Sequence, residues 1–295
     1  MQASLRNPFV CLAIFVLLAL AIYWPSLGGG AFADDQGYFV DNPYTAEISL
    51  QNTVAIFDPS GDARFFAANY APVHLLFSAF ELRVFGDDPR PYHLVNVLIH
   101  GLNATLLVML FLTSGLSLGL AFSGGLLFLV HPANVEAVAW VSQLKTNAAL
   151  AFSLGALLAF ERYPKWATLS FVLGLLTKAS AAFALPMALA LCWVRRAERR
   201  ESSRRWIWMG VWALAFCLYA IPQVTAFSER GGVFTPELDD PAVHLRTIAA
   251  TGARYLVMAG TSWGISPAAE PAPATSPVRL VRGPRRRAAR RPRCR

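Results

Sequence analysis

The chain has 295 residues, 55% hydrophobic and 15% charged, where soluble domains carry roughly 25% charged residues. Its apolar residues gather into segments near the ~20 residues that cross a bilayer, which points to an integral membrane protein and away from an ordinary soluble enzyme. The formal charge of +8 belongs to the tail. Residues 279–295 hold nine arginines and no acid, so the rest stands at 8 − 9 = −1, and nucleic-acid binding by the body is not indicated.

The first apolar segment covers about 8–24. Arg6 before it and the small residues Ala31 and Ala33 after it also fit a cleaved signal peptide. Its length exceeds a typical signal core, so it reads as a retained anchor with Tyr23 and Trp24 at the interface. Seven more spans are expected at about 93–112, 116–130, 148–160, 166–177, 181–194, 206–222 and 247–263. The expected fold is therefore an all-α, multi-pass membrane bundle of about eight spans.

Basic residues in short loops set the sidedness. A cytoplasmic N-terminus puts the Arg-rich stretch 195–205 and the tail inside. It sends the long loop 26–92, the turn at 131–145 and the turn around Lys178 to the extracytoplasmic face. The domain reading is a membrane domain over 1–266 with its loop at 26–92. A tail over 267–295, rich in Pro, Ala and Arg, reads as disordered, with a shifted reading frame as one origin for it.

Four polar groupings fall on the outer face. Asp34 and Asp35 stand where the first segment ends; one of two adjacent carboxylates can serve as a general base toward a hydroxyl. The pair can also hold a divalent cation, although no third ligand is evident, or simply be a solvated loop. His93, Asn96, His100 and Asn103 share one helix face, either lining a polar cavity or bonding helices together. His131, Glu136 and Trp140 follow the third span, as a site or as an interfacial anchor. Lys145 and Lys178 each end an apolar span, where a lysine can hold a lipid-linked phosphate or only snorkel to the interface. The four cysteines show no pairing or zinc spacing.

Five stretches then carry a resemblance: FADDQGYFVDNP (32–43), NYAPVHLLFSAF (69–80), YHLVNVLIHGLNATLL (92–107), HPANVEAVAWVSQLK (131–145) and LLTKASAAFALP (175–186). In this order they resemble the membrane part of the TMTC-type O-mannosyltransferases and their bacterial relatives. These belong to the GT-C glycosyltransferases, with protein O-mannosyltransferases among them. The likeness covers about 8–266.

It implies a transferase that moves a mannose-like sugar from a polyprenyl phosphate to a hydroxyl of a protein or glycan, with inversion, at the outer face of a bacterial inner membrane. Asp34 or Asp35 would be the base. Lys178 would meet the phosphate with Lys145 and His131, and Glu136, His93, Asn96, His100 and Tyr70 would lie around the substrates. Such relatives often continue into tetratricopeptide repeats, so the chain reads as a truncated relative. A transporter of lipid-linked sugar, or an inactive scaffold, would share the lipid pocket.

Overall fold

The computed structural model describes residues 7–30, 35, 38–39, 41–67, 69–194, 203–229 and 241–261. Asp34, most of the Arg-rich stretch at 195–205 and the tail from 262 onward lie outside the described residues. Every regular element among the described residues is helical, and two compact units divide at Val233 and Phe234.

In the first unit, α1 (Pro8–Tyr23) is capped by Asn7, whose side chain accepts from Phe9 N–H, with Pro8 pre-set for the first turn. The loop 26–92 folds into α2 (Leu50–Phe57), α3 (Ala63–Phe66) and α4 (Pro72–Phe85). Gly86, at φ +60°, ends α4 in a conformation that favours glycine. The helices α5 (Pro89–Thr113), α6 (Leu118–Val130), α7 (Val135–Ala139), α8 (Leu144–Ala159), α9 (Pro164–Thr177), α10 (Ala184–Val194) and α11 (Ser203–Glu229) follow. The second unit contains α12 (Pro241–Thr261).

Three described helices are long and apolar enough to cross a membrane: Pro8–Gly28, Pro89–Thr113 and Arg204–Ala226. A fourth is possible if Leu118–Val130 and Pro132–Ala139, bent by 52°, form one broken span. The expected segments at 148–160, 166–177 and 181–194 are present as helices of 16, 14 and 11 residues. They are shorter than a full crossing because Pro164 starts a new helix and the chain turns again at Lys178. The eighth segment lies in α12, which carries Arg246 and Arg254 and falls short of the same test.

Packing produces three cores. Cys11, Phe15 and Ala19 of α1 meet Val97, Ala104 and Val108 of α5 and Leu129 of α6. A second core joins α8 to α11 around Trp212, whose ring stacks on Phe171 at 4.4 Å and whose Nε1–H donates to Thr168 Oγ1 at 3.0 Å. A third lies within the loop 26–92, around Tyr38, Ile56, Ala63, Ala67, Ala71 and Leu75.

The polar stripe of α5 binds helices together. His131-Pro132 ends α6 and removes the next-turn donors to its last carbonyls: Pro132 has no N–H, Ala133 N–H goes to His131 Nδ1 at 3.2 Å, and His131 N–H reaches Phe128 O at a long 3.4 Å. Side chains fill the gap. His100 Nε2–H and Tyr23 O–H both donate to Leu129 O, at 3.1 and 3.3 Å, and Asn134 donates to Phe128 O at 2.7 Å. Asn96 donates to Trp140 O at 2.8 Å and Val141 O at 3.2 Å, and Asn103 to Asn147 O at 2.9 Å. Of the two roles open to the stripe in the sequence, these contacts are those of interhelical hydrogen bonding.

At Gly101 the backbones of α1 and α5 approach closely. A Cβ added at Gly101 would sit 2.9 Å from Val16 Cα, a backbone atom that no rotamer change can move. Gly101→Ala is expected to lower stability by about 1–3 kcal/mol. Gly210→Ala, with open space around it, should not. Thermal unfolding of both variants in detergent checks this.

Candidate functional site

Asp35 is fully buried, and its Oδ1 accepts the Ser142 N–H at 2.8 Å. Ser142 lies in the turn Val141–Gln143 that leads into α8, where backbone donors have no helical acceptor. The carboxylate satisfies one of them, and its negative charge suits a helix start. Three residues later on each strand comes a second tie. Lys145 Nζ donates to Tyr38 Oη at 2.6 Å and lies 4.8 Å from the Tyr38 ring centroid. Tyr38 O–H donates in turn to Ala67 O at 3.1 Å. The adjacent residue Thr146 accepts from Lys178 Nζ at 2.6 Å. Asp35, Lys145 and Lys178 are thus joined in one hydrogen-bonded array through residues 142–146.

His74, on α4, is the member that sequence reasoning missed. Its ring meets Tyr38 edge-on at 4.8 Å, and neither nitrogen has a hydrogen-bond partner among the described residues. Burial, then the charges of Lys145 and Lys178, hold it well below the usual histidine range, so the ring is neutral. Lys178 is lowered by burial, and Glu136 opposes that shift.

Asp35 also lines a cavity of about 470 Å³ with Phe39, Leu82, Asp87, Tyr92 and Val141. Its walls are mostly apolar, with Asp35 and the exposed Asp87 as its carboxylates. Lys145 and Lys178 are not among its lining residues. A pocket of this size and character suits a small organic group.

The remaining expected residues fall into three settings. Glu136 is exposed on α7 and is felt electrostatically at Lys178, while His131 is half-buried and caps the turn after α6. His93 is buried, without a hydrogen-bond partner among the described residues, where a Cβ on Gly29 would come within 3.0 Å of Nε2. Asn96 and His100 are committed to the backbone carbonyls already described. Tyr70 braces the loop against α11: its O–H donates to Phe57 O at 2.8 Å and its N–H to Gln223 Oε1 at 3.2 Å. Tyr219 O–H donates to Tyr70 O at 3.3 Å. No group of three metal-ligating side chains occurs among the described residues.

No protein-family model matches the chain, and neither a curated protein nor a solved structure matches it.

The signal for His74 lay in α4. His74, Ser78 and Glu81, at spacings of four and three, form a buried polar stripe like that of α5. Glu81 is only 4% exposed, and neither carboxylate oxygen has a hydrogen-bond partner among the described residues. Burial raises it from 4.5 to about 8, so it is neutral at pH 7. A raised carboxyl favours the folded state below the unfolded value, and that advantage is lost as pH climbs from about 4.5 through about 8. Stability is therefore expected to fall across this window, by on the order of 1 kcal/mol per pH unit at most. Glu81→Gln should flatten the decline, as measured by thermal unfolding between those two pH values.

Proposed function

We propose that the chain is a membrane glycosyltransferase. It moves a mannose-like sugar from a polyprenyl-phosphate donor to a hydroxyl of a protein or glycan acceptor, at the extracytoplasmic face of a bacterial inner membrane. The observation that carries this reading is the array at residues 142–146. It links a buried carboxylate beside an apolar cavity to two lysines, Lys145 in the first turn of α8 and Lys178 in the turn after α9. In this reading the chain is a multi-pass GT-C-type bundle with a cytoplasmic N-terminus, in which α8, α9, α10 and α12 complete the passes together with the longer spans.

The chemistry follows from the groups available. An acceptor hydroxyl enters the cavity and gives its proton to the Asp35 carboxylate. The acceptor oxygen attacks the anomeric carbon as the bond from that carbon to the phosphate oxygen breaks, and the bond pair leaves with the polyprenyl phosphate. Attack opposite the leaving group inverts the centre. Lys178 and Lys145 balance the charge that grows on the phosphate, an electrostatic contribution that strengthens where water is excluded. His74, neutral between them, adds no competing charge. Glu136 offsets part of the burial effect that lowers Lys178.

Asp35→Asn tests the base without dismantling the turn, because the amide oxygen can still accept the Ser142 N–H. Transfer from a radiolabelled polyprenyl-phosphate mannose, in vesicles, is expected to fall about 10²–10⁴-fold with the unfolding temperature nearly unchanged. Near-normal transfer would overturn the assignment. Lys178→Ala should raise the donor concentration needed for half-maximal rate far more than it lowers stability. Label that crosses the vesicle membrane without joining an acceptor would instead indicate a transporter.

A further inference from the structure

The outer loop holds an apolar helix face that the chain leaves uncovered. Ser49 caps α2: its side chain accepts from Asn52 N–H at 3.1 Å, and its carbonyl accepts from Thr53 Oγ1–H at 2.8 Å. Asn52 also donates to Glu47 O at 2.9 Å. Asn52 and Thr53 are thus turned back onto the start of the helix. Ile56 packs inward among Tyr38, Ala63, Ala67 and Leu75. Opposite it, Leu50, Val54 and Phe57 recur at spacings of four and three and form one stripe. Leu50 is 82% exposed and Val54 63%, and Ile48, just before the helix, is half-exposed.

Two observations identify what covers this stripe. The first is its position. Phe57 O accepts from Tyr70 O–H, and Tyr70 is bonded in turn to Tyr219 and Gln223. Both belong to the final turns of Arg204–Ala226, a helix long and apolar enough to cross a membrane. The C-terminal end of α2 is therefore held one residue away from the end of a candidate span. The second is charge. Residues 50–57 contain no Lys, Arg, Asp or Glu, and the charged neighbours on either side, Glu47 and Asp58, are acids. Attraction to anionic headgroups cannot hold such a helix, whereas insertion of apolar side chains can.

We infer that α2 is an interfacial helix whose Leu50, Val54 and Phe57 side chains sit in the acyl–headgroup boundary of the bilayer. Helices of this kind bury their apolar face about 5–10 Å into that boundary. The anchor is independent of the catalytic reading. Its inner face, through Ile56, packs in the core that holds Tyr38, so the membrane surface becomes one wall supporting the hydrogen-bonded array.

The test uses the full chain reconstituted in phosphatidylcholine vesicles, with a fluorescent amino acid incorporated singly at Leu50, Val54 or Phe57, or at Glu47 and Gln51 for comparison. Quenching by lipids spin-labelled near the headgroup is expected to be about twofold or more greater at the three stripe positions than at Glu47. Gln51, at the edge of the stripe, should be intermediate. Adding anionic lipid or salt should leave the pattern unchanged. Equal quenching by aqueous iodide at all five positions would overturn the inference, because the stripe would then be in water. Protection from both quenchers would also overturn it, since a second copy or another protein would then cover the helix. Loss of quenching after Leu50→Asp with Val54→Asp, in protein that keeps its unfolding temperature, would support it.

Discussion

The break at His131-Pro132 is the constraint on which the rest of the unit depends. A helix that stops inside an apolar bundle strands its final carbonyls, and each must find a donor or lose on the order of a hydrogen bond's free energy. Phe128 O and Leu129 O find theirs in Asn134, His100 and Tyr23, which come from three different segments. One satisfied helix end therefore fixes α1, α5 and α6 relative to one another. It also sends the chain back through 131–143 as short helical turns broken at Trp140, and not as one continued helix. That stretch and the start of α8 are held in turn by Asn96, whose amide donates to Trp140 O and Val141 O, and by Asn103, whose amide donates to Asn147 O.

The candidate site is a consequence of that irregular stretch. Its buried Ser142 N–H, ahead of α8, meets the Asp35 carboxylate, and Lys145, one turn on, reaches Tyr38. A regular helix through 131–146 would have consumed the Ser142 N–H internally and left Asp35 without a partner there. The outer loop and the bundle are joined by the same few residues that carry the proposed chemistry. A second brace, through Tyr70, Tyr219 and Gln223, ties the loop to α11 on its other flank. Between the two braces the loop presents α2 outward with its apolar stripe uncovered.

Much of the helical architecture was legible in the residues. The apolar runs at 8–24, 93–112 and 206–222 became candidate spans because their length and composition leave few alternatives. The run at 116–130 was legible as a helix. Its bend into 132–139 follows from Pro132, yet whether the two parts count as one span depends on the 52° angle. The shorter runs between 148 and 194 are helices, but their length does not by itself carry them across a membrane. The site was legible in part. Asp35, Lys145 and Lys178 stood out as isolated charges at the ends of apolar runs. His74 and Glu81 did not, because the stretch 72–86 reads as an amphipathic surface helix when its outward Phe80 and Val84 are weighed without its neighbours.

Composition and spacing by themselves determined that the chain is helical and apolar, roughly where its long apolar helices run, and that the His93–Asn103 stripe must face something polar. These are local properties, set by side-chain period, by proline's missing N–H and by the cost of charge in an apolar medium. Only the tertiary structure decided what the stripe faces, that Asp35 meets Ser142, that two lysines 33 positions apart in the chain (178 − 145) share one array, and which face of α2 is left bare. Those outcomes depend on which orphaned donors and acceptors come within hydrogen-bond distance after packing, and sequence spacing carries no information about partners 29 to 153 residues away.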